Sequence, residues 1–134
     1  MNTRKGFTLV ELLVVIAILA ILATVSVVGY TSFINSADQA AMDQETHQIE
    51  NIIDSALIIN AKVYVKLGDA KFVVLTKNTT GAVVASEVAT APNDAKDLSG
   101  DIGAELVAKL SYNAGLVYTY KTGSTATKTL YPAA

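Results

Sequence analysis

Gly6 followed by Phe7, with Glu11 four residues further on, is the most chemically suggestive spacing in the chain. A glycine ahead of a bulky aromatic lets extended backbone enter a narrow protease cleft, because it carries no side chain beside the bond to be cut. Cleavage between Gly6 and Phe7 would remove Arg4 and Lys5 and create a cationic amine on Phe7. Glu11 is spaced to receive that amine within one helix, near the positive N-terminal end where an anion is favoured. In a staggered bundle of helices it would instead meet the Phe7 amine of a neighbouring copy, and the pair would set the stagger. A carboxylate within an apolar segment costs up to about 3 kcal/mol on insertion scales, so it calls for an assigned partner. The bland alternative has Glu11 at headgroup level, reaching toward water.

Elsewhere the chemistry is sparse. His47 lies alone on an acidic stretch, and a solvated role is the economical reading, since metal sites and general-base networks need further converging groups. Asp94, Asp97 and Asp101 surround a loop without the spacing of an EF-hand, so loop solubility explains them better than Ca²⁺. Asn78-Thr79-Thr80 fits a glycosylation sequon, but a turn built for its own geometry accounts for it equally well. Cysteine is absent, which excludes thiolate chemistry and disulfides. No catalytic, cofactor-binding or metal-ligating set is expected. Past Lys5 the basic residues are scattered lysines among a larger number of acids, so no nucleic-acid footprint is evident.

The elements that position Gly6, Phe7 and Glu11 follow from hydropathy. From Phe7 to Tyr30 nearly every side chain is apolar, which as a helix makes a rod of about 36 Å, long enough to cross a bilayer. A cleaved secretory signal is one reading, but the apolar stretch is about twice the usual length. A permanent signal anchor is another, with Arg4 and Lys5 held inside. Neither accounts for Glu11. Helical sequence continues to about Asn60, where Met42, Thr46, Ile49, Ile53, Ala56 and Asn60 recur at three- and four-residue spacing. Beyond Gly68, strands are expected over 71–76, 82–85, 116–121 and 126–131, with a turn at 78–81, a short helix from 101 or 102 to 110 and a hairpin turn at 122–124. The fold class is α+β: a stem helix over about 8–60, packed by its second half on a small antiparallel sheet of three to four strands.

Lys5-Gly6-Phe7-Thr8-Leu9-Val10-Glu11 and the apolar run behind it resemble the class III signal sequence of type IV pilins and related pseudopilins. The resemblance implies a leader at 1–6, a transmembrane and assembly half of the stem at 7–30, an amphipathic half at 31–62 and a globular sheet region at 63–134. It implies cleavage between Gly6 and Phe7, N-methylation of Phe7, and assembly through Phe7 and Glu11. Its expected partners are copies of itself in a helical filament, a prepilin peptidase that is also the N-methyltransferase, an inner-membrane assembly platform, and the membrane before assembly. The function implied is a structural subunit, the major pilin of a type IV pilus, rather than an enzyme. The alternative is a pseudopilin of a secretion or DNA-uptake system, and from another class a monomeric membrane-tethered enzyme or binding module. The precursor would span the cytoplasmic membrane once with its N-terminus inside, and the assembled form would be extracellular or envelope-spanning. Two positions depart from many family members, Val28 in place of proline and Ala20 in place of glycine, so nothing forces a kink near Gly29.

Overall fold

The computed structural model describes residues 5–134 apart from Asp69 and Gly123; the expected leader residues 1–4 and the centre of the 122–124 turn lie outside them. The chain divides into two units, Met1–Asp38 and Gln39–Ala134. One helix, α1 (Leu9–Ile59), begins in the first and ends in the second. Proline is absent throughout it and Gly29 is its single glycine, so no residue type strongly interrupts the ladder.

In the first unit the described residues are exposed almost without exception, including Phe7 at 91% and every large apolar side chain from Leu9 to Ile34. Four of the hydroxyl groups among them turn back on the helix. Thr24 and Thr31 donate to the carbonyls of Ile21 and Val28, while Ser26 and Ser36 donate to those of Leu22 and Ser32, at 2.7 to 3.0 Å. A polar group satisfied in this way needs no water, which is the condition for lying in hydrocarbon. Among the described residues, this helix is long and apolar enough to cross a membrane.

The second unit has its own core. Met42, Thr46, Ile49, Ile53, Ala56 and Leu57 are buried along one face of α1. Each fully buried aliphatic side chain on that face contributes about 1.5–3 kcal/mol. The periodic stripe read from the sequence is therefore the packed face, with Asn60 at its edge. The Asn60 amide donates to the Ala56 carbonyl at 3.0 Å and closes the last turn, and two residues later the chain is already a strand.

Among the described residues, strands of two sheets supply the rest of that core. One sheet has the order β3-β2-β1-β4, from β1 (Lys62–Lys66), β2 (Phe72–Lys77), β3 (Val83–Val88) and β4 (Lys96–Asp97); it is antiparallel except for the short β1–β4 pair. The other is the antiparallel meander β5-β6-β7, from β5 (Leu110–Tyr112), β6 (Gly115–Thr122) and β7 (Ser124–Pro132). They meet where Ala133 bridges Ala85 in parallel and the Ala134 N–H donates to the Ala85 carbonyl at 2.9 Å. The helix-on-sheet α+β arrangement stands as expected, carried by sheets of four and three strands. Strand β1 was not anticipated, although Lys62-Val63-Tyr64-Val65-Lys66 alternates outward and inward residue by residue. The expected helix from 101 or 102 to 110 is two one-turn pieces, α2 (Ser99–Ile102) and α3 (Ala104–Val107). Gly103 separates them at φ +95°, a left-handed conformation no helix continues through, and Leu110 pairs with Tyr118 in the meander.

Charge fastens the helix to the meander. No lysine or arginine lies in α1, and two of its acids, Glu45 and Asp43, find cations across the core. Lys109 Nζ is 2.9 Å from Glu45 and 5.1 Å from the centre of the Tyr120 ring. Lys128 donates to Thr46 Oγ1 at 3.3 Å and lies 3.9 Å from Asp43, while the Tyr131 hydroxyl donates to Asp54 at 3.2 Å. Burial, reinforced by the Asp54 charge, pushes the Tyr131 phenol well above its ordinary range. Gly115 fixes the start of β6. Its φ of +133° disfavours any side chain, and a Cβ there would collide with the Tyr131 carbonyl oxygen.

Candidate functional site

The N-terminal sequence folds into a local hydrogen-bonded unit before the helix proper. Thr8 precedes α1, and its carbonyl accepts the first helical bond from the Leu12 N–H at 3.2 Å. Three residues on, the Glu11 N–H donates to Thr8 Oγ1 at 3.2 Å, while Glu11 Oε2 accepts from the Thr8 N–H at 2.8 Å and from Thr8 Oγ1 at 3.1 Å. This is a capping box: threonine and glutamate three apart satisfy each other's orphan N–H groups at a helix start. It also holds the carboxylate close to the positive end of the helix.

The structure therefore brings Glu11 to Thr8. In the uncut chain Phe7 offers a peptide group, not an amine, so the amine pairing read from the sequence belongs to a cleaved form. Thr8 is the residue that sequence reasoning missed, though Thr-x-x-Glu ahead of an apolar run was a usable signal. Both side-chain bonds fall on Oε2, and among the described residues none falls on Oε1. Phe7 projects into solvent, and a Cβ added at Gly6 would meet nothing within 4 Å. Among the described residues, nothing packs against Gly6.

The secondary candidates resolve into structural roles. His47 Nδ1 lies 3.3 Å from Glu50 on the exposed side of α1. Asp94 pairs with Lys62 at 2.6 Å, and that hydrogen bond and charge hold its carboxyl below the usual range. Asp97 accepts from the Ser99 N–H at 2.9 Å and is likewise lowered, chiefly by bonding to Ser99, against the opposing effect of desolvation. Asp101 faces Lys96 at 3.5 Å. The three acids thus turn to separate partners, and among the described residues no group of three metal-binding side chains converges. Asn78 Oδ1 accepts from Thr80 N–H, Thr80 Oγ1 and Ala82 N–H, closing the β2–β3 turn as an Asx-type loop.

No curated protein and no solved structure matches this chain. Residues 1–27, which contain the capping box and most of the exposed apolar helix, match the family model of the prokaryotic N-terminal methylation motif. That motif is characteristic of type IV pilins and pseudopilins, and its match over these residues supports a precursor of that type.

Proposed function

We propose that this chain is the precursor of the major subunit of a type IV pilus. A prepilin peptidase removes residues 1–6 between Gly6 and Phe7 and methylates the new Phe7 amine. Residues 7–30 then serve first as membrane anchor and later as assembly surface. Residues 31–62 form the amphipathic half of the stem, and 63–134 the globular region that decorates the filament. The observation that carries this reading is a methylation motif opening a helix whose large apolar side chains from Leu9 to Ile34 are exposed and whose Thr24, Ser26, Thr31 and Ser36 hydroxyls bond back to the helix.

The residues supply the steps. Gly6, against which no described residue packs, gives extended backbone access to the peptidase cleft. The capping box orients Glu11 so that Oε2 serves its own helix while Oε1 receives the methylated amine of a neighbouring Phe7. Exchange of lipid for complementary helices around residues 7–30 drives assembly, and the amine–carboxylate pair selects the stagger. Removing one member of such a pair leaves the other charge buried alone, which is more costly than losing the pair's net contribution.

Mass measurement of filaments sheared from producing cells tests the proposal. The expected subunit begins at Phe7 and carries one added methyl; full-length protein confined to membranes would overturn it. Short envelope-bound rods without surface fibres would transfer the reading to a pseudopilin. Replacing Glu11 by Ala is expected to lower fibre yield by about tenfold or more, with the amount of precursor unchanged. Normal yield would remove the amine pairing from the mechanism.

A further inference from the structure

We infer that Asn78 Nδ2 accepts a glycan from a sugar activated at its anomeric carbon as a diphosphate ester; the inference rests on the filament reading above, which carries the globular region out of the cell. Asn78 is the one asparagine in the chain with threonine or serine two positions on, and no proline stands between. Residues 77–82, which carry it, are all exposed at the tip of the β2–β3 hairpin.

The turn uses one end of the side chain only. Oδ1 accepts from the Thr80 N–H at 3.0 Å, from Thr80 Oγ1 at 2.6 Å and from the Ala82 N–H at 2.9 Å. Beside it the Asn78 N–H donates to the Ala82 carbonyl at 2.8 Å and closes the main chain. Among the described residues, no hydrogen bond falls on Nδ2, which carries two donors. An aspartate would close this turn as well, since Asx turns need only the side-chain oxygen. The nitrogen is what the turn leaves unexplained.

The same geometry prepares that nitrogen for reaction. A carboxamide nitrogen is a poor nucleophile because its lone pair is shared with the oxygen, and it strengthens as an N–H proton leaves and negative charge collects on Oδ1. Three donors already aimed at Oδ1 stabilise that charge without reorganisation. Nδ2 attacks the anomeric carbon, and the new bond forms as the carbon–oxygen bond to diphosphate breaks. The diphosphate leaves with the electron pair, and the Nδ2 proton passes to a base on the transferase. Thr80 is the positioning residue, supplying two of the three donors.

The test uses the full chain from producing cells, by intact mass and by fragmentation of the peptide containing residue 78. The expected chain is heavier than its sequence and N-terminal processing account for, by at least one sugar residue on Asn78. Asn78→Asp keeps the oxygen of the turn and deletes the nitrogen, so it should lose the whole increment with the thermal midpoint unchanged. Thr80→Val should lower occupancy about tenfold or more, and Thr80→Ser should restore it. A chain of unmodified mass, an increment that survives Asn78→Asp, or full occupancy in Thr80→Val would overturn the inference. Filaments with bare Asn78 would overturn the site alone. A sugar on Asn78 of full-length protein confined to membranes would overturn the filament reading alone.

Discussion

Met1–Asp38 and Gln39–Ala134 share one helix and treat its side chains in opposite ways. In the second unit the apolar stripe of Met42, Ile49, Ile53 and Leu57 is buried within the chain, and the carboxylates beside it find lysines, a histidine and a tyrosine. In the first, the large apolar side chains from Leu9 to Ile34 are exposed, while the Thr8, Thr24, Ser26, Thr31 and Ser36 hydroxyls and Glu11 Oε2 are bonded locally. A helix that satisfies its polar groups but not its apolar ones has been fitted to an apolar surrounding. The contrast teaches that side-chain composition alone does not separate fold from assembly; what separates them is whether the chain itself supplies the partner.

The sharpest way to break that contrast is to truncate one aliphatic side chain in each unit. Ile53→Ala should cost about 2–5 kcal/mol of unfolding free energy by leaving a cavity under the sheets. Leu13→Ala, on the exposed segment, should leave it within about 0.5 kcal/mol. Denaturant unfolding of the full chain in detergent, followed by the near-ultraviolet signal of the tyrosines, measures both. Equal losses would mean that the first unit has an intramolecular partner after all. Next in size is Gly115→Ala, expected to cost about 2–3 kcal/mol because it combines a strained positive φ with a collision against the Tyr131 carbonyl. An unchanged midpoint would show that the β6–β7 register gives way easily.

Within the first unit the capping box is the local interaction to remove. Thr8→Val keeps the shape and deletes the hydroxyl, which should cost about 1 kcal/mol and speed amide exchange at Glu11 about fivefold in micelles. Thr8→Ser should restore protection. If Val and Thr exchange alike, Glu11 is not held by Thr8, and the orientation assigned to its free oxygen has no basis.

Legibility in the sequence followed the same division. The stem was readable because two strong signals coincide on it, a continuous apolar run and then a stripe at helical spacing from Met42 to Ala56. The methylation motif at 1–27, which contains Gly6, Phe7 and Glu11, was readable because it is local. The capping box was equally local and was missed because Glu11 was weighed against a charged partner, when a threonine hydroxyl and N–H three residues away were enough. Strand β1 escaped because helical periodicity through Asn60 masked the change to period two at Lys62, with no glycine or proline to mark it. The break at Gly103 and the pairing of Leu110 with Tyr118 depend on contacts distant in sequence, which local pattern does not carry. The same holds for Lys109 and Lys128, whose partners on α1 lie more than sixty residues away.

The smallest effect concerns the loop beside β1, where the second unit stands on exposed charge instead of burial. Lys62 lowers the Asp94 pKa in the folded chain, so the folded state holds that proton less tightly than the unfolded one. The contribution is therefore fully present above the unfolded value of about 4 and is lost as pH falls through the lowered folded value. Both partners are well exposed, so salt screens the pair and its share of stability is slight. Asp94→Asn should lower stability slightly at neutral pH and flatten the acid limb, so that variant and parent converge as pH falls through the lowered folded value. The difference should shrink further in high salt, whereas the Ile53→Ala deficit should not. If Asp94→Asn matched Ile53→Ala at neutral pH, the second unit would depend on surface charge as much as on its core, and its contrast with the first would have to be redrawn.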